Sequence, residues 1–518
     1  MALRDTASGP SSPWFVLTAR YRSLVQSRHH PSQTPSRSHV WVSIVVALTL
    51  LTAAGCGGGP TSPPVSVDAP KASPRAGIQD DSVYQPGQDP TARVRMMAES
   101  GASLIRVDLL WSQVAPTRPT NPSDPGDPAY QWAEYDRLLD VAKANTLEVM
   151  FAVWGTPTWA GDPTVKLPAK DVFPQAKRPK DAADFGAFAT AAATRFAPRG
   201  VTRWEAWNEP NIKLFLYPQY ERQANRWVAT SPETYSNLLK SFYAGVKAAD
   251  PDAIVAGAVT APTGDRCGPS CRVGKGQPTA PNRVRVDDFL DALDAPGRRP
   301  PMDVVSHHPY PTTPPRATTR RDRNFIDLYN LDALSAAIDR TYLRGKKIWL
   351  TEYGFGTAPV PQNPKFFTLQ QQADFIVDAF ERMRATPRVE LMVYYFLRDH
   401  RDWKSGLIDE EGTPKPGLAA YALPFGVAGG TPDGAGAVRL VGQARASTGR
   451  TQVRVEWKSS DTWRKLVIAN TAADGTFAVT VKPTTAISVR AVWEGLTRSG
   501  QRKIWTSPDV VLPASPAP

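Results

Sequence analysis

Between residues 75 and 425, eight short apolar runs alternate with longer helical patterns, and this alternation restricts the possible fold more than any other feature. The runs cover residues 76–79, 103–109, 147–153, 202–208, 253–259, 302–306, 347–352 and 390–397, and their richness in Val, Ile, Leu and Trp is typical of buried parallel strands. The helical patterns cover residues 90–100, 132–144, 182–196, 232–249, 286–293, 333–343 and 370–384. Repeated strand-then-helix units predict an α/β fold of the (β/α)8 TIM barrel type. An open doubly wound sheet is the rival, but no Gly-rich phosphate loop follows the first strand.

Beyond the barrel the pattern changes to an alternation of period two. Residues 438–512 contain the runs TQVRVEW, RKLVIANT, TFAVTVK and AISVRAVW, with turn residues between them. This alternation predicts a small antiparallel β-sandwich, and the soft segment 426–437 (GVAGGTPDGAGA) predicts a linker before it. The sandwich is interpreted as a spacer or as a domain packed against the barrel, with carbohydrate binding as the alternative.

The segment from Met1 to Cys56 is interpreted as a signal peptide that ends in a lipobox. The apolar run 42–54 (VSIVVALTLLTAA) follows Arg28 and Arg37 and is too short for a membrane span, which is typical of a signal peptide. The segment TAAGC ending at Cys56 resembles a bacterial lipobox, whose cysteine carries lipid after cleavage. Plain secretion is the alternative, since Ala53 stands where Leu is commoner. We therefore expect a secreted lipoprotein, anchored through Cys56 alone to the outer face of the cell membrane.

Residues 57–74 follow the leader and are rich in Pro, Gly and Ser, which predicts an extended tether. Further along, Cys267 and Cys271 lie in a Gly/Pro segment, CGPSC. In an oxidising compartment such a close pair is most simply a local disulfide, because a zinc site needs more ligands than these two.

Charge and motif content exclude several classes of function. The formal charge of +12 is spread along the chain, without a basic run interleaved with aromatic residues, so no nucleic-acid partner is expected. Three of the six histidines lie in the leader, and neither an HExxH helix nor a G-x-S-x-G elbow occurs. We expect no metal, no cofactor and a monomer.

Two strand ends carry carboxylates in distinctive surroundings. Glu209 follows the fourth strand in WEAWNEPN, and Glu352 ends the seventh strand in WLTEYGF. Catalytic residues of barrel enzymes project from the carboxyl ends of the strands, so these two side chains are expected to meet across the barrel mouth. Cleavage of a glycosidic bond needs one protonated carboxyl for the leaving oxygen and one ionised carboxyl for the anomeric carbon.

These two motifs resemble the signatures of glycoside hydrolase clan A, the retaining barrel enzymes that include cellulases, mannanases and xylosidases. The resemblance spans residues 75 to about 423 and implies that Glu209 is the acid/base and Glu352 the nucleophile of double displacement on a poly- or oligosaccharide. It also implies that Asn208 holds the sugar 2-hydroxyl. The third strand, EVMFAVWGTPTWA, resembles family 39 and bacterial exopolysaccharide-degrading enzymes more than family 5. The terminal module resembles bacterial immunoglobulin-like or fibronectin-like domains.

Other strand ends match the same clan. Arg106 stands where the clan keeps an arginine beside the nucleophile, and a fixed guanidinium there would hold Glu352 ionised. In DVVSHHPYP, His308 and Tyr310 match a His-x-Tyr pattern, with the tyrosine donating to the nucleophile and the histidine lining the sugar site. Glu205 is the rival carboxylate, and we expect it to pair with a basic residue inside the barrel. The retaining reaction predicts a separation of about 5 to 5.5 Å between the catalytic carboxyls.

Aromatic residues at the rim are candidates for sugar binding, with core packing as the alternative. The binding candidates are Trp154, Trp159, Tyr395 and Trp403, and three further rim positions are Trp111, Trp207 and Tyr353. In the eighth strand, Tyr395 or Phe396 occupies the place where the clan usually presents a tryptophan. A different class of function stays open, namely a non-catalytic carbohydrate-binding or envelope scaffold protein on a glycosidase-like barrel.

Overall fold

The computed structural model describes residues 62–69, 71–85, 87–274, 279–311, 324–359, 366–428 and 436–514. The predicted leader with Cys56 and most of the predicted linker lie outside these residues. In the part of the chain that is described, no helix is both long enough and apolar enough to cross a bilayer.

We number the strands of the described residues in chain order. They are β1 Val65–Asp68, β2 Arg75–Gln79, β3 Leu104–Leu110, β4 Glu148–Trp154, β5 Arg203–Ala206, β6 Tyr220–Gln223, β7 Arg226–Ala229, β8 Ile254–Thr260, β9 Ser270–Arg272, β10 Val304–His307, β11 Ile348–Tyr353, β12 Val389–Tyr395, β13 Phe425–Val427, β14 Val438–Gln443, β15 Gln452–Ser459, β16 Thr462–Asn470, β17 Thr476–Val481, β18 Ile487–Leu496, β19 Arg502–Thr506 and β20 Val510–Leu512. The α-helices are α1 Thr91–Glu99, α2 Trp111–Val114, α3 Ala133–Ala144, α4 Ala182–Phe196, α5 Ser231–Ala249, α6 Val286–Leu293, α7 Leu331–Asp339, α8 Leu369–Ala385 and α9 Pro416–Ala422. Short 3-10 helices cover Asp81–Tyr84, Pro174–Ala176 and Ala197–Arg199.

Eight parallel strands close into a barrel in the order β2, β3, β4, β5, β8, β10, β11, β12. This confirms the predicted (β/α)8 fold, and each of the eight predicted strands overlaps one strand of the barrel. The helices lie between them, and the predicted bounds of α4 and α6 coincide with the observed ones. Helix α8 begins at a capping box, in which Thr368 and Gln371 each bond the backbone N–H of the other.

The barrel interior is apolar at one end and polar at the other. Its apolar layer is built from Leu104, Met150, Ala256, Val304, Trp349, Leu391 and Val393. Two residues further along their strands, on the same face, stand Arg106, Ser306 and Thr351, all fully buried. The carboxyl ends of the strands therefore surround a polar layer that rests on a packed apolar floor.

The terminal region forms two antiparallel sheets, as predicted. One sheet has the order β1, β17, β14, β13, and the other has the order β16, β15, β18, β19, with β20 also paired to β18. Their inner faces share an apolar core that includes Val455, Phe477, Val489 and Trp493. The architecture is thus a barrel followed by a β-sandwich.

Two predicted segment boundaries are wrong. Residues 65–68 of the predicted tether form β1, which pairs antiparallel with β17, so this part of the chain belongs to the sandwich. Residues 425–427, at the junction of the predicted barrel and linker, form β13, which pairs with β14. Alternation of valine with polar residues in β1 fits a sheet edge, and the surrounding prolines concealed that short signal.

The sandwich packs against the barrel. Arg445 is 3% exposed, and its guanidinium lies over the rings of Phe380 and Tyr421, at 5.3 and 4.7 Å from the ring centroids. On the sandwich's other sheet, the Trp505 indole N–H donates to the Glu99 carbonyl at 3.2 Å, and Lys503 Nζ lies 2.8 Å from a Glu99 carboxylate oxygen. These contacts favour a packed domain over a loose spacer.

Candidate active site

Glu209 and Glu352 lie together at the carboxyl ends of their strands, as predicted. Glu352 is part of β11, whereas Glu209 lies just beyond the end of β5. The backbone that follows β5 is unusual, with φ values of 74° at Trp207 and 40° at Glu209. A positive φ is costly for residues other than glycine and is characteristic of functional sites. The Trp207 indole N–H donates to the Phe215 carbonyl at 2.9 Å and so fixes this turn.

Arg106 connects four side chains of the site. Its Nε donates to Glu205 at 2.7 Å, its Nη1 to Glu352 at 2.6 Å and its Nη2 to the Asn208 amide oxygen at 2.9 Å. Nη1 also donates to the Gln79 amide oxygen at 2.5 Å. The guanidinium is fully buried. It lies beside Glu352, as the sequence predicted.

Glu205 has the structural role that its depth in the strand predicted. It is fully buried, bonds Arg106 and accepts a hydrogen bond from the Ser306 hydroxyl. Asn208 is oriented by Arg106 through its amide oxygen, which leaves the amide N–H groups available for a ligand. The two residues thus share one guanidinium, although only Asn208 is suited to contact substrate.

Tyr310 and His308 complete the surroundings of the two carboxyls. The Tyr310 hydroxyl donates to Glu352 Oε2 at 2.8 Å, as the His-x-Tyr pattern implied. His308 Nδ1 lies 3.0 Å from Glu209 Oε1 and 3.6 Å from Glu352 Oε2. Burial, and then the Arg106 charge, lowers the pKa of His308 well below its ordinary value, so its ring is neutral. The adjacent His307 bonds Thr260 and the Ile326 carbonyl and is structural.

Burial raises the pKa of Glu209 and that of Glu352 to about 8, although the Arg106 charge opposes this in each case. The sequence predicted an ionised Glu352, so the raised pKa of Glu352 departs from that expectation. The desolvation of a deep site outweighs a single guanidinium there. The hydrogen bonds nevertheless distinguish the two carboxyls, because Glu352 receives donors from Arg106 and Tyr310, whereas the partner of Glu209 among the described residues is the neutral His308. One shared proton therefore belongs on Glu209.

A carboxylate oxygen of Glu209, one of Glu352 and a ring nitrogen of His308 all lie within 4.8 Å of one another. Such a group has the ligand types of a metal site. Here, however, Glu352 already binds the Arg106 guanidinium and the Tyr310 hydroxyl, and a second cation would face that guanidinium directly. The donor set therefore suits two reacting carboxyls better than a metal ion.

The aromatic candidates divide into those that lie beside Tyr310 and those that are fixed by contacts elsewhere. Trp403 and Tyr395 lie beside Tyr310, with ring centroids 5.7 and 6.2 Å from its ring. The Trp159 indole N–H donates to the Ala115 carbonyl, and Arg118 lies over its ring at 4.7 Å. Trp154 is 4% exposed, packs on Phe173 and Phe215, and directs its N–H toward Asp108. The rim residues Trp111, Trp207 and Tyr353 are buried core residues.

Sequence reasoning missed Gln79, Asp81 and Asp108, which border the catalytic pair. Gln79 Nε2 donates to Asp81 Oδ1 at 2.8 Å, and Asp108 Oδ1 lies 3.5 Å from Arg106 Nη1. Both aspartates are buried, with Asp81 6% and Asp108 9% exposed. Asp108 stands two residues after Arg106 on the same strand, so the period of two was the signal that could have identified it.

A cavity of about 380 Å³ lies at the opposite end of the barrel and is lined by Arg75, Arg203, Trp349 and Leu391 among others. These residues stand at or near the amino ends of their strands. Barrel enzymes carry their chemistry at the carboxyl ends, so this cavity is not the catalytic site.

The comparisons with known proteins agree with this geometry. The model of the cellulase family, glycosyl hydrolase family 5, matches residues 77–382. A search of the curated proteins finds no match. A glucosidase structure from Croceicoccus marinus has a TM-score of 0.50 and 13% identity, covering 82% of this chain and 100% of that one.

Two further solved structures are similar. A family 39 glycoside hydrolase from Bacteroides cellulosilyticus WH2 has a TM-score of 0.49 at 17% identity, covering 79% of this chain and 81% of that one. A monomeric β-xylosidase from Caulobacter crescentus CB15 has a TM-score of 0.48 at 15% identity, covering 80% and 97%. At such low sequence identity, these structures support only the fold. The family model, by contrast, spans more than half of the chain and includes both glutamate motifs. The chain therefore belongs to the cellulase family of clan A glycoside hydrolases, glycosyl hydrolase family 5.

Proposed function

We propose that this chain is a retaining O-glycoside hydrolase, acting on a poly- or oligosaccharide with Glu209 as acid/base and Glu352 as nucleophile. The observation that carries the proposal is that one carboxylate oxygen of Glu209 lies within 4.8 Å of one carboxylate oxygen of Glu352. Retaining enzymes separate the two carboxyls by about 5 to 5.5 Å, whereas inverting enzymes leave about 6.5 to 9.5 Å for a water molecule. The family supports glycosidase chemistry, and the short separation favours retention.

The two half-reactions follow from the protonation of the pair. In the first, a Glu352 oxygen bonds the anomeric carbon while Glu209 gives its proton to the departing glycosidic oxygen, so that a glycosyl ester and a free alcohol form. In the second, Glu209 takes a proton from water, and the water oxygen replaces Glu352 at the anomeric carbon. Each displacement inverts the configuration, so the product keeps that of the substrate.

The neighbouring side chains support these steps. Arg106 and Tyr310 donate to Glu352 at 2.6 and 2.8 Å, which aims the carboxylate and stabilises its charge when the ester breaks. His308 Nδ1 lies 3.0 Å from Glu209 Oε1 and positions that carboxyl. Asn208, fixed by Arg106, presents its amide N–H groups to a sugar hydroxyl. Trp154, Trp159, Tyr395 and Trp403 are proposed as the aromatic contacts of the sugar.

The decisive experiment compares two catalytic variants with a matched control on aryl glycosides. Glu352→Gln should abolish turnover, because no ester forms. Glu209→Ala should retain most activity only on substrates whose leaving group needs no proton, and added azide should give a glycosyl azide of retained configuration. Glu148→Gln, at the other end of the barrel, is the control and should behave as the parent does.

Proton NMR of the first-formed sugar reports its anomeric configuration. An inverted product would contradict the retaining mechanism. Absence of any cleavage across aryl glycosides and polysaccharides, with binding of a polysaccharide preserved, would instead favour a non-catalytic scaffold protein.

We also propose that the protein is exported as a monomer and held on the outer face of the cell membrane by a lipid on Cys56. The support is the apolar run 42–54 and the small residues before Cys56. Mass spectrometry of the mature amino terminus should find a diacylglycerol thioether on Cys56. A mature chain that begins after Cys56 would contradict the anchor and leave export standing.

A further inference from the structure

A closed ring of contacts links the side chains beside Glu352. From Glu352 the ring runs through Arg106 to Gln79 and on to Asp81, at 2.6, 2.5 and 2.8 Å. It returns from Asp81 through the Tyr395 hydroxyl, 3.5 Å from Asp81 Oδ2, to Tyr310, whose ring centroid lies 6.2 Å from that of Tyr395. Tyr310 closes the ring by donating to Glu352 at 2.8 Å.

Asp108 adds a second aspartate to this ring. It projects from β3 two residues beyond Arg106, and its Oδ1 is buried without a well-formed hydrogen bond. Trp154 is also buried, and its indole N–H points toward this carboxyl without reaching hydrogen-bond geometry. We name Asp81 and Asp108 the acidic wall.

The charges of this region do not balance. Asp81, Asp108, Glu205, Glu209 and Glu352 are all buried. In the described part of the chain the cation in contact with them is Arg106, whose Nε and Nη1 are already bonded to Glu205 and Glu352. With Glu209 protonated and His308 neutral, four carboxyls remain for one guanidinium.

This excess of buried carboxyls over cations affects the acidic wall most. Burial, and then the charge of Asp108, raises the pKa of Asp81 well above its ordinary value. Buried carboxylates are stabilised by a cation or by several hydrogen-bond donors in contact with them. A neutral sugar hydroxyl supplies one donor and no charge, whereas an ammonium group supplies three donors and a full positive charge.

We propose that the acidic wall selects a sugar that carries a free, protonated amino group, so that the substrate is a glycan of unacetylated amino sugars. This inference rests on the proposed function, since it assigns the specificity of the same site. The ammonium would lie between Asp81 and Asp108, within the ring of contacts, while the anomeric carbon faces Glu352. The aromatic rings of Tyr395 and Trp403 would meet the C–H surface of the same sugar.

The test uses pairs of 4-nitrophenyl glycosides that differ only in having an amino group or a hydroxyl group at one ring position. Both gluco and galacto pairs are needed, at a pH where the amine is protonated. The full chain should prefer the amino member in kcat/KM by about 10- to 100-fold, the usual effect of a charge-assisted contact. Asp81→Asn and Asp108→Asn should each remove most of this preference, measured as the ratio of kcat/KM between the two members of a pair.

The matched control is Asp291→Asn on α6, a carboxyl half-exposed to solvent and paired with Arg340. It should leave the preference unchanged. Calorimetry with D-glucosamine and D-glucose gives a second readout that needs no turnover, and circular dichroism verifies that each variant is folded.

Two outcomes would overturn the inference. One is Glu352-dependent cleavage of the hydroxyl members with equal or poorer cleavage of the amino members, which leaves the proposed function standing. The other is an amino-sugar preference that survives in both Asp→Asn variants, because the recognition would then lie elsewhere. Failure of the proposed function gives a different pattern, in which no glycoside of either kind is cleaved.

Discussion

Arg106 Nη1 lies 2.6 Å from Glu352 Oε1, and the same guanidinium reaches Glu205, Asn208 and Gln79 with its remaining N–H groups. One side chain therefore contacts Glu352, the residue before Glu209, and Gln79, which in turn bonds Asp81 of the acidic wall. Because the guanidinium is fully buried, none of these contacts competes with solvent.

Arg106→Lys should keep the positive charge but lose the planar set of donors. An ammonium cannot bond Glu205, Glu352 and Asn208 in the same geometry, so kcat should fall by about 100-fold or more. Steady-state kinetics on an aryl glycoside substrate measures this. Arg137→Lys, on the exposed side of α3, is the control. Unchanged kcat in the Arg106 variant would contradict its role in positioning Glu352.

The pH dependence of stability should reveal the buried carboxyl pair. The folded pKa of Glu209 is about 8, above its ordinary value of 4.5, so the folded state binds this proton more tightly than the unfolded state does. Its stabilising contribution is complete below pH 4.5 and is lost as the pH rises toward about 8. Glu209→Gln cannot ionise and should therefore raise Tm relative to the parent by more at pH 8 than at pH 5.

Calorimetric melting curves of the parent and of Glu209→Gln across this pH range provide the measurement. The difference in free energy of unfolding should be on the order of 1 kcal/mol or more at the alkaline end. Glu148→Gln, at an exposed carboxyl at the other end of the barrel, is the control variant. A gap in Tm that narrows as the pH rises would contradict the assigned direction.

We expect the contacts of Arg445 with the barrel to stabilise the whole protein. Its guanidinium lies between Phe380 and Tyr421, and Nη1 donates to the Tyr421 carbonyl at 2.8 Å. Arg445→Ala leaves that carbonyl unsatisfied and creates a cavity, so the free energy of unfolding should drop by about 2 to 4 kcal/mol. Urea denaturation measures the drop, and Arg454→Ala on the outer sheet face is the control.

Truncation after Phe425 extends the same prediction. It removes the partner of β1, most of β13 and Arg445, and the shortened chain should aggregate or melt well below the parent. A truncated barrel with the parental melting temperature would show that the two units are independent.

The Cys267–Cys271 disulfide, predicted from the sequence and present in the structure, should have a local effect. It joins two cysteines that are close in sequence, beside β9, which pairs with β7 in the small sheet β6, β7, β9. Because short loops give little entropic gain, replacing both cysteines by serine should cost about 2 kcal/mol or less. Hydrogen exchange should show faster opening of that sheet with an unchanged barrel. Global unfolding of the double variant would contradict a local role.

The sequence by itself determined the barrel, the sandwich and which two carboxyls meet at the barrel mouth. Each of these is specified locally: the apolar runs define strands, and the motifs around Glu209 and Glu352 place carboxyls at strand ends. Arg106 and Tyr310 were identified in the same way, because they occupy fixed positions relative to strands that the pattern already located.

Only the tertiary structure decided what depends on distant parts of the chain meeting in space. β1 is a strand because β17, which follows the entire barrel in the sequence, supplies its hydrogen-bond partners. The pKa of Glu352 rises because the whole mouth excludes water, which no local motif encodes. Asp81 and Asp108 become one acidic wall because β2 pairs with β3, so that the end of β3 and the turn that follows β2 lie at the same end of the barrel.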